Sequence, residues 1–482
     1  MRTSAVKGRP LAGSRRGEDG PAGGKAPGHA GMMDMTHGPL LGKILLFSLP
    51  LMASNLLQLL FNTADIVVVG RWAGHASLAA VGSTACVINL AVNLLVGISV
   101  GVNVVIARYL GETGREAEIS KALHTAMLVG IVGGTLLGAA GALASGWMLD
   151  LISTPADVRP LALVYLRIYF IGTPFMMIYN YGAAALRAEG DTSRPLVFLS
   201  LSGTLNVVLN LFFVIKLRMD VAGVALATVI SQGFSAALIL GCLTLSQGEL
   251  RFSFRQLRVD PWSLRAMARV GVPAGLQGCL FSLSNVVIQG AINAYDSIVV
   301  AGYSAGASIE NFIYIATNSF HHACQTFTSQ NLGARQRRRI IRTVRICMLC
   351  TLTVGGALSA AVLAFDRPLV GIYNSDPAVI QAGAERLWTV VPFYVLFAVG
   401  DVLVGVIRGC GASVAPVVIN LLATCALRLA WVRLLDTSVV GVVWVYASYP
   451  ISWTVLLAAL AAFWLYLRRK LLADAPEPEA AA

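Results

Sequence analysis

Residues 55–70 read NLLQLLFNTADIVVVG. Asn55, Gln58, Asn62 and Asp65 recur at steps of three, four and three, so on a helix they share one face while the other faces stay apolar. A polar stripe ending in a carboxylate is costly to turn toward hydrocarbon, and an ionisable residue inside a membrane helix points to a functional site. Asp65 precedes Gly70 by five residues, about 8 Å along the helix from its expected outer end. The amide oxygens of Asn62 and Gln58, beside the carboxylate, suit a hard cation such as Na⁺.

The remaining sequence puts this helix in a membrane. Of 482 residues, 56% are hydrophobic and 12% charged, against about 25% charged in soluble domains; the mean hydropathy is +0.72. Twelve apolar segments reach spanning length, about 20 residues or more, from Lys43–Val69 to Val439–Leu467. The net charge of +12 does not call for nucleic acid as a partner. Its basic residues gather in alternate connections, most densely at Arg251–Arg269 and Arg335–Arg345, which predicts cytoplasmic placement of those loops and of both termini. The eight cysteines are scattered, and the lone Cys347-x-x-Cys350 reads as buried thiols rather than a metal or redox site.

The chain is duplicated. Pro50 and Asn62 in the first apolar segment match Pro273 and Asn285 in the seventh. Tyr109-Leu-Gly111 matches Asn331-Leu-Gly333. Arg187-x-x-Gly190-x-x-x-x-Pro195 matches Arg408-x-x-Gly411-x-x-x-x-Pro416. A six-helix unit keeps its orientation when repeated, so the copies are related by an axis along the membrane normal. The expected fold is therefore an all-α integral membrane protein of twelve helices in two six-helix bundles. Expected boundaries are a disordered tail at 1–39 without the apolar core of a signal peptide, an N-terminal bundle at 40–245, a basic cytoplasmic linker at 246–269, a C-terminal bundle at 270–470 and a second tail at 471–482.

Other polar positions fall inside the spans. Glu310, Tyr314, Thr317, Asn318, His321, Gln325 and Thr328 make a stripe about five turns long, with Tyr314 and Phe312 offering cation–π surface. Asn206 and Asn210 put two amides on one face of the fifth helix and are expected to share the Asp65 site. The repeat sets Ile288 at the position of Asp65, and Asn180 at that of Asp401, so each charge occurs in one copy alone. An Asp401–Arg428 pair would lower the cost of both charges.

These residues in this order resemble the multidrug and toxic compound extrusion (MATE) transporters: Asn62-x-x-Asp65-x-x-x-x-Gly70, then LAAVG at Leu78–Gly82, then the two Arg-x-x-Gly-x-x-x-x-Pro repeats. SIENFIYIATNSF (Ser308–Phe320), followed by Gln330-Asn-Leu-Gly333, is similar to the staphylococcal-type and DinF-like branch. The resemblance implies export of organic cations and drugs in exchange for Na⁺ or H⁺, with the Asp65 position in coupling and the Glu310 position meeting cationic cargo. This chain lacks the seventh-helix acid of some members, and its Asp401 lies about one turn nearer the closing Arg than the tenth-helix acid there.

The expectation is thus a monomeric inner-membrane exporter of small amphiphilic cations that contacts only cargo and lipid and uses no cofactor. Ion coupling is assigned to Asp65, Asn62, Gln58, Asn206 and Asn210, with Na⁺ at Asp65 and Asn62 if Na⁺ drives it. Cargo contact is assigned to Glu310, Tyr314, Asn318, Asn285 and Asp401. A flippase for a lipid-linked precursor would favour an arginine-lined central cavity, whereas the central helices here carry acids and amides. An integral-membrane enzyme would need a catalytic motif such as DDxxD or HExxH, and neither is present.

Overall fold

The computed structural model describes residues 33–152, 154–434 and 441–473, and the described regular structure is helical throughout. The first bundle holds α1 (Leu40–Val68), α2 (Gly74–Gly111), α3 (Glu116–Leu151), α4 (Arg159–Ile171 continued by Thr173–Ala188), α5 (Ser193–Lys216) and α6 (Asp220–Leu245). The second holds α7 (Pro261–Ile292), α8 (Ser297–Gly333), α9 (Arg337–Ala364), α10 (Pro377–Gly409), α11 (Val414–Leu434) and α12 (Val442–Ala473). Each is long and apolar enough to cross a membrane once the two pieces of α4, which meet at 45°, count as one span. The protein is a multi-pass membrane protein.

The duplication has physical causes at its matched residues. Gly190 and Gly411 close α4 and α10 with φ of 95° and 86°, a left-handed conformation that only glycine adopts without strain. In each case the next amide reaches back to a carbonyl of the last turn, Asp191 N to Leu186 O at 3.0 Å and Ala412 N to Ile407 O at 3.1 Å, so the helix ends are satisfied in the same way. Both spans also break near mid-course, α4 at Gly172–Pro174 and α10 at a 3₁₀ turn over Val391–Phe393 that contains Pro392. Proline lacks the N–H that continues a helix.

Glycines set the seam between the bundles. A Cβ on Gly97 would lie 2.1 Å from Gly275 Cα, and one on Gly101 would lie 2.2 Å from Met267 O. Gly97-x-x-x-Gly101 of α2 thus crosses Gly271-x-x-x-Gly275 of α7 backbone to backbone, the small-residue packing expected in lipid, where no hydrophobic effect draws helices together. At the end that carries the basic loops, a Cβ on Gly111 would meet Gln330 O and one on Gly333 would meet Arg108 O, each at 2.0 Å. The pseudo-symmetric α1–α8 contact is aromatic instead, with Phe47 edge-on to Phe327 at 5.8 Å. Asn103 of α2 strengthens this end: it donates to Ala184 O at 3.2 Å and accepts from Gln325 Nε2 at 3.2 Å and Thr326 Oγ1 at 3.0 Å.

Four expected boundaries move. No loop separates α1 from α2: a π-helical turn, Val69–Ala73, leads straight to Gly74. Most of the expected N-terminal tail (1–32) lies outside the described residues, but residues 33–38 are strapped across the basic end. Met33 N donates to Glu189 O at 3.3 Å, Met35 N to Gln330 Oε1 at 3.0 Å, and Arg339 Nε to Met35 O at 3.0 Å, because the last turns of α4 and α8 offer unclaimed acceptors there. The linker 246–269 is docked rather than free: Phe252 stacks on His124 at 5.2 Å, Ser253 N donates to His124 Nε2 at 3.0 Å, and Asp260 N to Thr125 Oγ1 at 2.9 Å. Asp260 then caps α7 by accepting from Ser263 N at 2.8 Å, so that helix begins nine residues before the expected bundle boundary at 270. Leu471–Ala473, expected in the C-terminal tail, complete α12; 474–482 lie outside the described residues.

Candidate ion and cargo sites

Asp65 of α1 and the two amides of α5 come together in the first bundle. The close approach is made by Gly203 of α5, where a Cβ would lie 1.8 Å from the Phe61 ring. Asn210, wholly buried, donates from Nδ2 to Asp65 Oδ1 and also lies 3.3 Å from Asn206 Oδ1. Asn206 in turn reaches Thr228 Oγ1 of α6 at 3.5 Å. The chain Asp65–Asn210–Asn206–Thr228 gives one carboxylate a single neutral donor and leaves Asn210 Oδ1 buried without a protein partner. Asp65 itself is half-buried, and Asn62 and Gln58 are exposed on the same helix. A carboxylate with one amide donor, one unclaimed amide oxygen and an open side has the ligand chemistry of a hard monovalent cation or a proton.

The second bundle carries a different arrangement. Glu310 of α8 is buried, and both its oxygens accept from Arg386 of α10, Nε to Oε1 and Nη2 to Oε2, each at 3.0 Å. This is the parallel fork geometry that arginine forms with carboxylates. The Arg386 guanidinium also lies over Tyr303 at 4.0 Å. Arg428 of α11 sits 4.3 Å over Tyr449 and donates from Nε to Ser452 Oγ at 2.9 Å. Ile288, the positional match of Asp65, is wholly buried in the same tyrosine-rich cluster.

Nearer the basic end, Asp401 of α10 accepts from Asn318 Nδ2 at 3.0 Å, and His321 Nδ1 lies 3.2 Å from Asp401 Oδ1 and 2.7 Å from its backbone oxygen. His322 meets His321 edge-on at 5.1 Å. Asp401 and Arg428 therefore do not pair: the partners of Asp401 come from α8, and Arg428, which follows a π-helical segment of α11 at Leu421–Ala426, turns to Ser452 of α12. Tyr314 packs against Phe397 at 6.1 Å, and Asn285 of α7 is half-buried.

Sequence reading missed Arg386. It stands one residue before the apolar run that begins at Leu387. The signal was present in periodicity, since Gly383, Arg386 and Leu387 are all buried on one helical face. Tyr303, Tyr446 and Tyr449 were missed because an isolated tyrosine in an apolar helix carries no positional pattern.

A membrane protein of twelve helices in two like bundles, with polar networks inside each, is built as a transporter. The family model MatE matches residues 50–212 and again 273–431, once in each bundle, and the chain belongs to that family of membrane transporters. It is 28% identical to the probable multidrug resistance protein YpnP of Bacillus subtilis (strain 168), covering 82% of this chain and 88% of that one. It is 20% identical to the multidrug export protein MepA of Staphylococcus haemolyticus, covering 89% and 94%. Among solved structures, an outward-facing multidrug resistance MATE family transporter superposes with a TM-score of 0.83 at 22% identity, covering 91% of this chain and 97% of that one.

Proposed function

We propose that this protein exports amphiphilic organic cations across the cell membrane by alternating-access antiport with Na⁺ or H⁺. The observation that carries the coupling half is the Asn210–Asp65 contact. A carboxylate that is neutralised by an ion in one state and free in the other gives the two states different affinities for a cation, which coupling requires. Asn206 and Asn210 hold the site on the α5 side, and Asn62 and Gln58 complete it from α1. The multidrug names of the relatives support drug-like cargo.

The bias of basic residues toward alternate loops supports a cytoplasmic side at those loops, with both termini there. The close contacts at Gly111, Gly333 and Asn103 support a conformer closed at that side. The flippase reading is disfavoured because Arg386 and Arg428 are each only 1% exposed and so do not line a central cavity. Cargo contact falls to Tyr314, Asn318, Asn285 and Asp401. Glu310, with both oxygens on Arg386, joins them only if that pair opens. The chain works as a monomer.

The deciding experiment is dye export from vesicles containing the purified protein, with Na⁺ and pH gradients imposed separately. Export driven by one gradient and not the other identifies the ion. No export of any cationic dye under either gradient would sink the reading.

A further inference from the structure

Five side-chain atoms of the Arg386–Arg428 cluster are buried without a hydrogen-bond partner: Arg386 Nη1, Arg428 Nη1 and Nη2, Tyr446 Oη and Trp453 Nε1. Four of these are nitrogens that only donate, and the tyrosine hydroxyl alone among them accepts. The charges are unbalanced as well. Glu310 neutralises Arg386, and among the described residues no carboxylate pairs with Arg428. A guanidinium that is 99% buried with an uncompensated charge is strongly penalised.

Water does not resolve this. A water molecule accepts from two of the donors but must place its own two hydrogens, and it brings no charge. The tyrosines do part of the work, since Tyr449 faces Arg428 at 4.3 Å and Arg386 at 5.3 Å. A ring face stabilises a cation but occupies no N–H. What the cluster lacks among the described residues is an acceptor that carries a second negative charge.

We propose that the second bundle binds a monovalent anion, a halide or a carboxylate, on the Nη1–Nη2 edge of Arg428 beside Ser452 and Tyr449. The anion balances the second arginine as Glu310 balances the first. Its source is free anion in solution. The site stands apart from the Asp65 network, and the inference does not depend on which ion drives transport.

The test uses the full chain, purified in detergent. Equilibrium dialysis against radiolabelled chloride is expected to show saturable binding to the unaltered protein, displaced by acetate and not by the bulkier gluconate. Arg428→Gln should weaken it about tenfold or more, the loss expected for a charge-assisted hydrogen bond. Arg428→Lys, which keeps the charge and loses the fork, should fall between. If acetate raises the melting temperature in an Arg428-dependent way while chloride neither binds nor stabilises, the anion is a carboxylate rather than a halide. Absence of binding and of stabilisation by both anions in the unaltered protein overturns the proposal. So does chloride binding by a folded, monodisperse Arg428→Gln protein that matches the unaltered one.

Discussion

The two bundles share their helix order, their broken fourth spans and their left-handed closing glycines, yet their interiors have opposite character. In the first bundle a carboxylate, Asp65, is held by neutral amides and stays half-buried. In the second, the matching position is Ile288, sealed in a cluster where two arginines and one glutamate are packed among tyrosines. One scaffold thus carries an incompletely ligated acid on one side and an excess of buried donors on the other. The lesson is that the duplicated residues, the prolines, glycines and Asn62/Asn285, build the frame, whereas the unduplicated charges divide the work.

The sharpest way to break this comparison is at Asp65. Asp65→Asn is expected to abolish dye export in vesicles while leaving the purified protein monodisperse on size exclusion. Export close to that of the unaltered protein would remove the first bundle from coupling. In the second bundle the large effect should be on stability instead. Glu310→Gln strands the Arg386 charge and should cost about 3–5 kcal/mol, as breaking a buried pair from one side does. The double change Glu310→Gln with Arg386→Gln should cost less than the single one, and thermal melting of both would expose the coupling; equal melting of single variant and parent would dissolve the pair's importance.

Asn210→Ala tests the first network without removing its charge. Loss of a hydrogen bond to an ionised group, about 1.5–3 kcal/mol, should raise the concentration of coupling ion needed for half-maximal export by tenfold or more, with export at saturating ion largely kept. An unchanged ion dependence would separate α5 from the ion site.

The smallest expected effect is at a helix cap. Aspartates cap α7, α8 and α10 in the second bundle, through Asp260, Asp296 and Asp376, and in the first bundle Asp191 serves α5 by accepting from Ser193 N at 2.9 Å and Arg194 N at 3.0 Å. Asp260→Ala should cost about 1 kcal/mol. Hydrogen bonds from Ser263 hold the Asp260 carboxyl below the usual carboxylate range. Its contribution is therefore present above the unfolded-state value and is lost as pH falls through the lower folded-state value, and melting curves from pH 7 down to the acid range should show the variant's deficit shrinking.

Much of the frame was legible in the chain itself. Spanning helices follow from hydrophobic length, because lipid leaves the backbone no other way to satisfy its hydrogen bonds over that distance. The repeat was readable because left-handed turns and helix breaks tolerate few residues, so glycine and proline recur where the backbone demands them. The grouping of Asp65 with Asn206 and Asn210 was anticipated from helical faces alone, since amides four apart must share a face. The partners of Glu310 and Arg428 were not, because periodicity gives the face a residue occupies on its own helix and not which face of another helix it meets.

The sequence by itself therefore determined the membrane, the twelve helices, the duplication and the presence of unmatched charges. Hydrophobic length and backbone conformational limits are local properties, readable one segment at a time. Only the tertiary structure decided which charge faces which: that Asp65 meets an amide, that Glu310 meets Arg386, and that Arg428 turns from Asp401 toward Tyr449 and Ser452. Pairing energies depend on distance and burial across different helices, and those are fixed by packing rather than by order along the chain.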